Sequence, residues 1–150
     1  MLRLPRSTFE LLLRAARLVN ERAIARVQRA GATNLRLAHT ALFPHITDAG
    51  IRQTELADKL GVTKQAIGPL VDDLERDGVV ERIPDPADAR AKLVRWTAKG
   101  RRALREGLGV LAQLEAELAE EVGPRKLAAL ADTLEALIAA VAPKTGTVSS

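Results

Sequence analysis

Few side chains in this 150-residue sequence are equipped for covalent chemistry. Cysteine is absent, which excludes disulfides, thiolate nucleophiles, thiolate metal sites and thiol redox sensing. Tyrosine is also missing, and serine occurs only at Ser7, Ser149 and Ser150, too near the chain ends to seat a serine triad. His39 and His45 are six residues apart, so on one helix they diverge by about 120° and share no metal without help from elsewhere. No Gly-x-x-x-x-Gly-Lys or Gly-x-Gly-x-x-Gly loop is present. Carboxylates are plentiful but interleave with Arg and Lys, as on solvated helix faces. No enzyme, metal or cofactor is expected. Recognition chemistry is better served. Thr63-Lys64-Gln65 places a hydroxyl, an ammonium and a carboxamide where a helix can begin, and Asp88-x-Arg90 sits in a stretch rich in turn formers.

The charge distribution points the same way. Net charge is +4, but residues 1–36 hold eight Arg against two Glu, whereas residues 106–150 hold three bases against seven acids. Such asymmetry suits a polyanion-facing part and a separate part with another task; ordinary solvated helix faces are the plainer alternative. With aromatics limited to Phe9, Phe43 and Trp96, neither an aromatic cage nor a base-stacking sheet can be built. The apolar run from Phe9 to Leu13 is broken by charges, so neither a signal segment nor a membrane helix is expected, and the cytoplasm is the default location.

The elements that must position these residues follow from periodicity. Ser7-x-x-Glu10 predicts a capping box, and Leu12, Ala16, Val19, Ala23, Val27 and Ala30 recur at helical steps up to Gly31. Thr33 or Asn34 can cap a second helix over about 34–46, with Leu35, Ala38, Leu42 and Ile46 inward and Pro44 kinking its last turn. Asp48-Ala49-Gly50 reads as a loop. Residues 54–60 then form a short helix, Gly61-Val62 a turn, and Thr63 caps a helix to about Asp77 with Ile67, Leu70, Val71 and Leu74 buried. Gly78 stops it. Residues 79–83 and 92–96 read as strands around a turn-rich 84–90. Thr97 caps a long helix lined by Leu104, Leu108, Leu111, Leu114, Leu118 and Val122. Gly123-Pro124 breaks and restarts it as a last helix carrying Leu127, Leu130, Leu134, Leu137, Ile138 and Val141. The fold class is therefore mainly α with a small β-hairpin wing: a winged helix-turn-helix flanked by dimerisation helices. The expected division is residues 1–34 as an N-terminal dimerisation helix, 35–100 as the DNA-binding lobe, 101–142 as C-terminal dimerisation helices, and 143–150 as a flexible tail.

Residues 54–65, Thr-Glu-Leu-Ala-Asp-Lys-Leu-Gly-Val-Thr-Lys-Gln, and 71–82, Val-Asp-Asp-Leu-Glu-Arg-Asp-Gly-Val-Val-Glu-Arg, resemble the MarR (multiple antibiotic resistance regulator) transcription factors. So does the stretch from Asp85 to Gly100, in which Asp88-x-Arg90 with Lys92 matches the family's wing signature. The likeness covers nearly the whole chain and is most specific over 54–100. It implies a homodimeric winged-helix repressor or activator, often released from a pseudo-palindromic duplex by a small ligand. It also implies an effector pocket between the dimer arms and the DNA-binding lobe. His39 lies near there and is either a ligand contact or an ordinary core or surface imidazole.

General physics supports the same roles. A helix starting near Thr63 offers free amides to phosphate, Gln65 can pair bidentately with adenine, and Lys64 reads either guanine or phosphate alone. Arg90 at a hairpin tip can enter a minor groove, with Asp88 holding the guanidinium rather than touching DNA. Arg14, Arg17, Arg22, Arg26 and Arg29 are outer-face residues of the first helix by default. One departure from the family pattern stands out: Ala66, Gly68 and Pro69 occupy the recognition helix where polar or basic residues are common. Pro69 should bend or loosen the helix, and Gly68 either adds no readout or permits close backbone approach to the duplex. The leading expectation is a homodimeric, sequence-specific DNA-binding regulator, a repressor released by a small molecule. The alternative is a winged-helix protein-interaction module.

Overall fold

The structure, a computed structural model, describes residues 7–142; the tail expected over 143–150 lies outside them. Two compact units divide at Leu111, inside the fifth helix. The first contains α1 (Thr8–Arg29), α2 (Leu37–Thr40), a 3-10 turn (Phe43–His45), β1 (Ile51–Arg52), α3 (Gln53–Leu60), α4 (Lys64–Arg76), β2 (Val80–Asp85) and β3 (Asp88–Trp96). It also contains the opening of α5 (Ala98–Val122); the second unit comprises the rest of α5 and α6 (Pro124–Val141).

One core organises the first unit. Leu56 and Ala57 of α3 and Ile67, Val71 and Leu74 of α4 meet Leu42, Ile46, Ile51, Val80, Val94 and Trp96. Each large apolar side chain removed from water contributes on the order of 1.5–3 kcal/mol. The two helices turn at Gly61, whose φ of 63° is left-handed and costs glycine nothing. Thr63 then caps α4, its hydroxyl accepting the Ala66 amide at 3.2 Å. The antiparallel sheet has the order β1-β3-β2, with Ile51 opposite Val94 and Val80 opposite Trp96. The Trp96 indole N–H donates to the Ile46 carbonyl at 2.9 Å, and Phe43 meets the ring edge-on. Thr97 caps α5 by accepting the Gly100 amide at 2.9 Å while its own hydroxyl donates to the Gly78 carbonyl.

Several local expectations change. Ser7 precedes α1 without a side-chain cap; only its carbonyl is used, by the Leu11 amide, so no capping box forms. The helix expected over 34–46 reduces to the single turn of α2 plus the 3-10 turn at Pro44, because the His39 ring accepts the Arg36 amide and starts the helix three residues late. That shift turns Ala38 outward and buries His39. The segment read as leading directly into α3 contains β1, two residues too short to show a period. The hairpin strands run on to Asp85 opposite Asp88, leaving only Pro86 and Ala87 in the turn. Pro69, expected to bend or loosen α4, does not end it: the helix runs on to Arg76. The Thr63 cap and the buried Ile67, Val71 and Leu74 hold the helix on both sides of the missing amide.

Candidate nucleic-acid interface

The exposed start of α4 carries Thr63, Lys64, Gln65 and Ala66, with Pro69 one turn further along. Because Thr63 occupies the Ala66 amide, the free amides of the first turn are those of Lys64 and Gln65. Together they form a small cationic and amide-rich end suited to an anionic backbone. Gly68 is half-buried, and a Cβ built there would lie 3.3 Å from the Gln53 side-chain nitrogen, so this residue faces the start of α3.

At the hairpin, two aspartates each fold the chain by accepting an amide two residues ahead. Asp85 accepts Ala87 N–H at 2.8 Å, and Asp88 accepts Arg90 N–H at 3.0 Å. The Asp88 carboxylate also lies 3.5 Å from Arg90 Nε, while the Arg90 side chain remains 94% exposed. Lys92 is exposed as well. Alternation places Lys92, Val94 and Trp96 on one face of β3, and Arg90 lies just beyond, where the register shifts between Pro84 and Asp85. That face is buried at Val94 and Trp96 and becomes cationic where the hairpin leaves the core.

What joins wing to helix is a pair of arginines that sequence reasoning passed over. Arg82, opposite Val94 on the core-facing side of β2, has a side chain only 19% exposed. Its guanidinium reaches Asp72 at 2.7 Å, Gln53 at 3.2 Å and Glu75, so wing, α4 and α3 share one fork. Arg52 of β1 holds the buried Asp85 at 2.5 Å. The Ala87 amide first, and Arg52 second, hold the Asp85 carboxyl below its ordinary value. The available signal was Arg82 itself, a charge at a strand position whose alternation calls for an apolar residue.

His39, the candidate effector contact, is 2% exposed with both ring nitrogens engaged by the protein. Nδ1 accepts the Arg36 amide at 3.0 Å, which leaves Nε2–H to donate to Asp73 Oδ2 at 3.2 Å. Arg36 and Arg76 reach the same carboxylate at 2.6 and 3.1 Å. The His39 hydrogen bond, with Arg36 next, keeps Asp73 below the ordinary carboxylate range. This cluster fastens the segment leading out of α1 to α4. All three carboxylates of α4, Asp72, Asp73 and Glu75, are thus matched by the protein's own cations. A cavity of about 380 Å³ lies elsewhere, lined by Pro44, His45, Thr47, Gly50, Ile51, Glu55 and Lys59. No cluster of His, Cys, Asp and Glu able to hold a metal occurs among the described residues.

A capped helix-turn-helix tied to an antiparallel hairpin defines a winged-helix protein. A sequence model of the MarR family matches residues 34–91. The transcriptional repressor CouR bound to a 23-mer DNA duplex is 30% identical, with a TM-score of 0.67 over 87% of this chain and 92% of that one. CouR from Rhodococcus jostii RHA1 bound to p-coumaroyl-CoA is 26% identical, with a TM-score of 0.66 over 91% and 92% of the two chains. A mutant MarR from E. coli shares the fold at 22% identity, with a TM-score of 0.75 over 91% and 99%. Among curated proteins none matches the sequence. The chain belongs to the MarR family of transcriptional regulators.

Proposed function

We propose that this protein is a homodimeric, sequence-specific repressor that acts in the cytoplasm and leaves its operator when a small molecule binds. The arrangement carrying this reading is the cationic, amide-rich start of α4 coupled through Arg82 to a wing that presents Arg90 and Lys92. The start of α4 would enter a major groove, with Gln65 on a base edge, Thr63 and Lys64 on or near the backbone, and Gly68 lining the α3 side. Arg90, set by Asp88, would reach the adjacent minor groove, with Lys92 on phosphate. Internal neutralisation of the α4 acids favours this over a surface for basic proteins.

Two-fold reading is supported by apolar side chains left uncovered in one copy: Phe9 and Leu13 on α1 and, separately, Leu130 and Ile138 on α6. The domain assignment follows, with 1–34 and 101–142 as dimer arms around the 35–100 lobe. CouR bound to duplex and CouR bound to p-coumaroyl-CoA support a DNA-binding, ligand-responsive reading. Among the described residues no helix is long and apolar enough to cross a membrane.

Duplexes selected from a random pool, followed by fluorescence anisotropy, test the proposal. Affinity should fall steeply with salt as phosphate contacts release counterions, and the selected sites should show two-fold symmetry. Gln65→Ala should weaken binding by about five- to a hundredfold in a sequence-dependent way, as expected for one base contact. Symmetric sites that never emerge, or binding indifferent to both Gln65→Ala and Arg90→Ala, would remove the assignment.

A further inference from the structure

The outward face of α4 holds little that can read a base by hydrogen bonding. Gln65 has its carboxamide, but Ala66 and Pro69, both exposed, offer only carbon. The Ala66 amide is already bonded to Thr63 Oγ1 at 3.2 Å, and proline has no amide at all. Asp72, on the same stripe, is engaged by Arg82 at 2.7 Å. The chain nevertheless stays helical through Pro69, so these carbons lie one turn apart beside Gln65.

The thymine C5-methyl is the apolar group that a base pair presents in the major groove. Residues three apart on a helix lie about 5–6 Å from each other, which spans one to two base-pair steps. We propose that α4 reads thymine methyl groups through Ala66 and Pro69, so that each half-site presents thymines beneath this patch beside an adenine under Gln65. This rests on the DNA-binding reading above and adds to it a mode of discrimination: shape and methyl contact in place of a row of polar side chains.

Replacing each thymine of the selected duplex in turn by deoxyuridine removes one methyl and leaves every hydrogen bond intact. Intact protein should lose about fourfold in affinity at one or two thymines of each half-site and nothing at the others, since one buried methyl-sized group contributes that much. With Pro69→Ala the uracil penalty at one of those thymines should shrink toward unity, and with Ala66→Gly the penalty at the other, giving a double-mutant cycle between side chain and methyl. Pro69→Ala restores a helix donor, so it remains a folded control should Ala66→Gly loosen the first turn. Tight binding with no uracil-sensitive thymine, or penalties that persist in both variants, would overturn this proposal and leave DNA binding standing. Failure to bind any duplex would overturn both.

Discussion

Arg90 and Asp88 show how much a single charge depends on its neighbour's placement. An exposed ion pair of this kind contributes little to folding, so the Arg90 side chain should matter little for stability, whereas Asp88 also holds the Arg90 amide in the turn. Arg90→Ala should nevertheless weaken operator binding about tenfold, and Asp88→Ala about two- to threefold, because the latter frees a guanidinium without removing it. Anisotropy titrations alongside thermal melts distinguish these effects, and an Asp88→Ala variant as impaired as Arg90→Ala would mean that the carboxylate itself touches the nucleic acid. Asp73 is the opposite case, a carboxylate held for the protein's own sake. Its folded value lies below the ordinary 3.8, so the stability it lends is fully present above that pH and drains away as acid protonates the folded state. Melting temperature should therefore fall from about pH 3.8 downward, and Asp73→Asn should lower it at neutral pH while flattening the acid limb. An unchanged acid limb in that variant would place the acid-sensitive group elsewhere. Thr63 and Asp88 were legible from sequence because hydroxyl caps and aspartate turns act over two or three residues. The His39–Asp73 and Arg82 contacts were not, since those partners lie 34 and 7 to 29 residues away.

Between elements, the tightest joint is where α5 leaves the sheet. A Cβ on Gly100 would sit 1.8 Å from the Val79 carbonyl oxygen and 3.0 Å from the Trp96 ring, so backbone must move to admit even a methyl. Gly100→Ala should cost about 1–3 kcal/mol or more, read as a lower urea midpoint with an unchanged slope; a midpoint equal to that of the parent would show that α5 can shift freely. The helix-turn-helix, the hairpin and the three long helices were readable because each repeats a period over many residues or is bounded by Gly and a cap. Where the period fails, sequence reading failed too. Two-residue β1 carries no alternation, and α2 is set by an imidazole acting as a cap, which no propensity for Arg36 or His39 encodes. Pro69 removes one backbone hydrogen bond, yet α4 runs on through it to Arg76 on three buried anchors.

At the scale of the molecule, the apolar side chains left bare in one copy are the strongest demand for a second. Ile138 on α6 is 64% exposed and Leu13 on α1 is 72% exposed. Ile138→Glu and, independently, Leu13→Glu should shift sedimentation velocity from dimer to monomer. Because a monomer engages one half-site only, operator affinity should drop roughly a hundredfold. A parent protein that sediments as a monomer at micromolar concentration would contradict the proposed assembly. Trp96 gives the experimenter something further. It is the only tryptophan in a sequence without tyrosine, and it lies sealed beneath the hairpin base between Phe43 and the Ile46 carbonyl. The ultraviolet emission of this protein therefore comes from one chromophore in the winged lobe. Its colour and intensity follow the packing of that lobe and of the first turn of α5 against the ring, so the light reports on the part proposed to grip the operator.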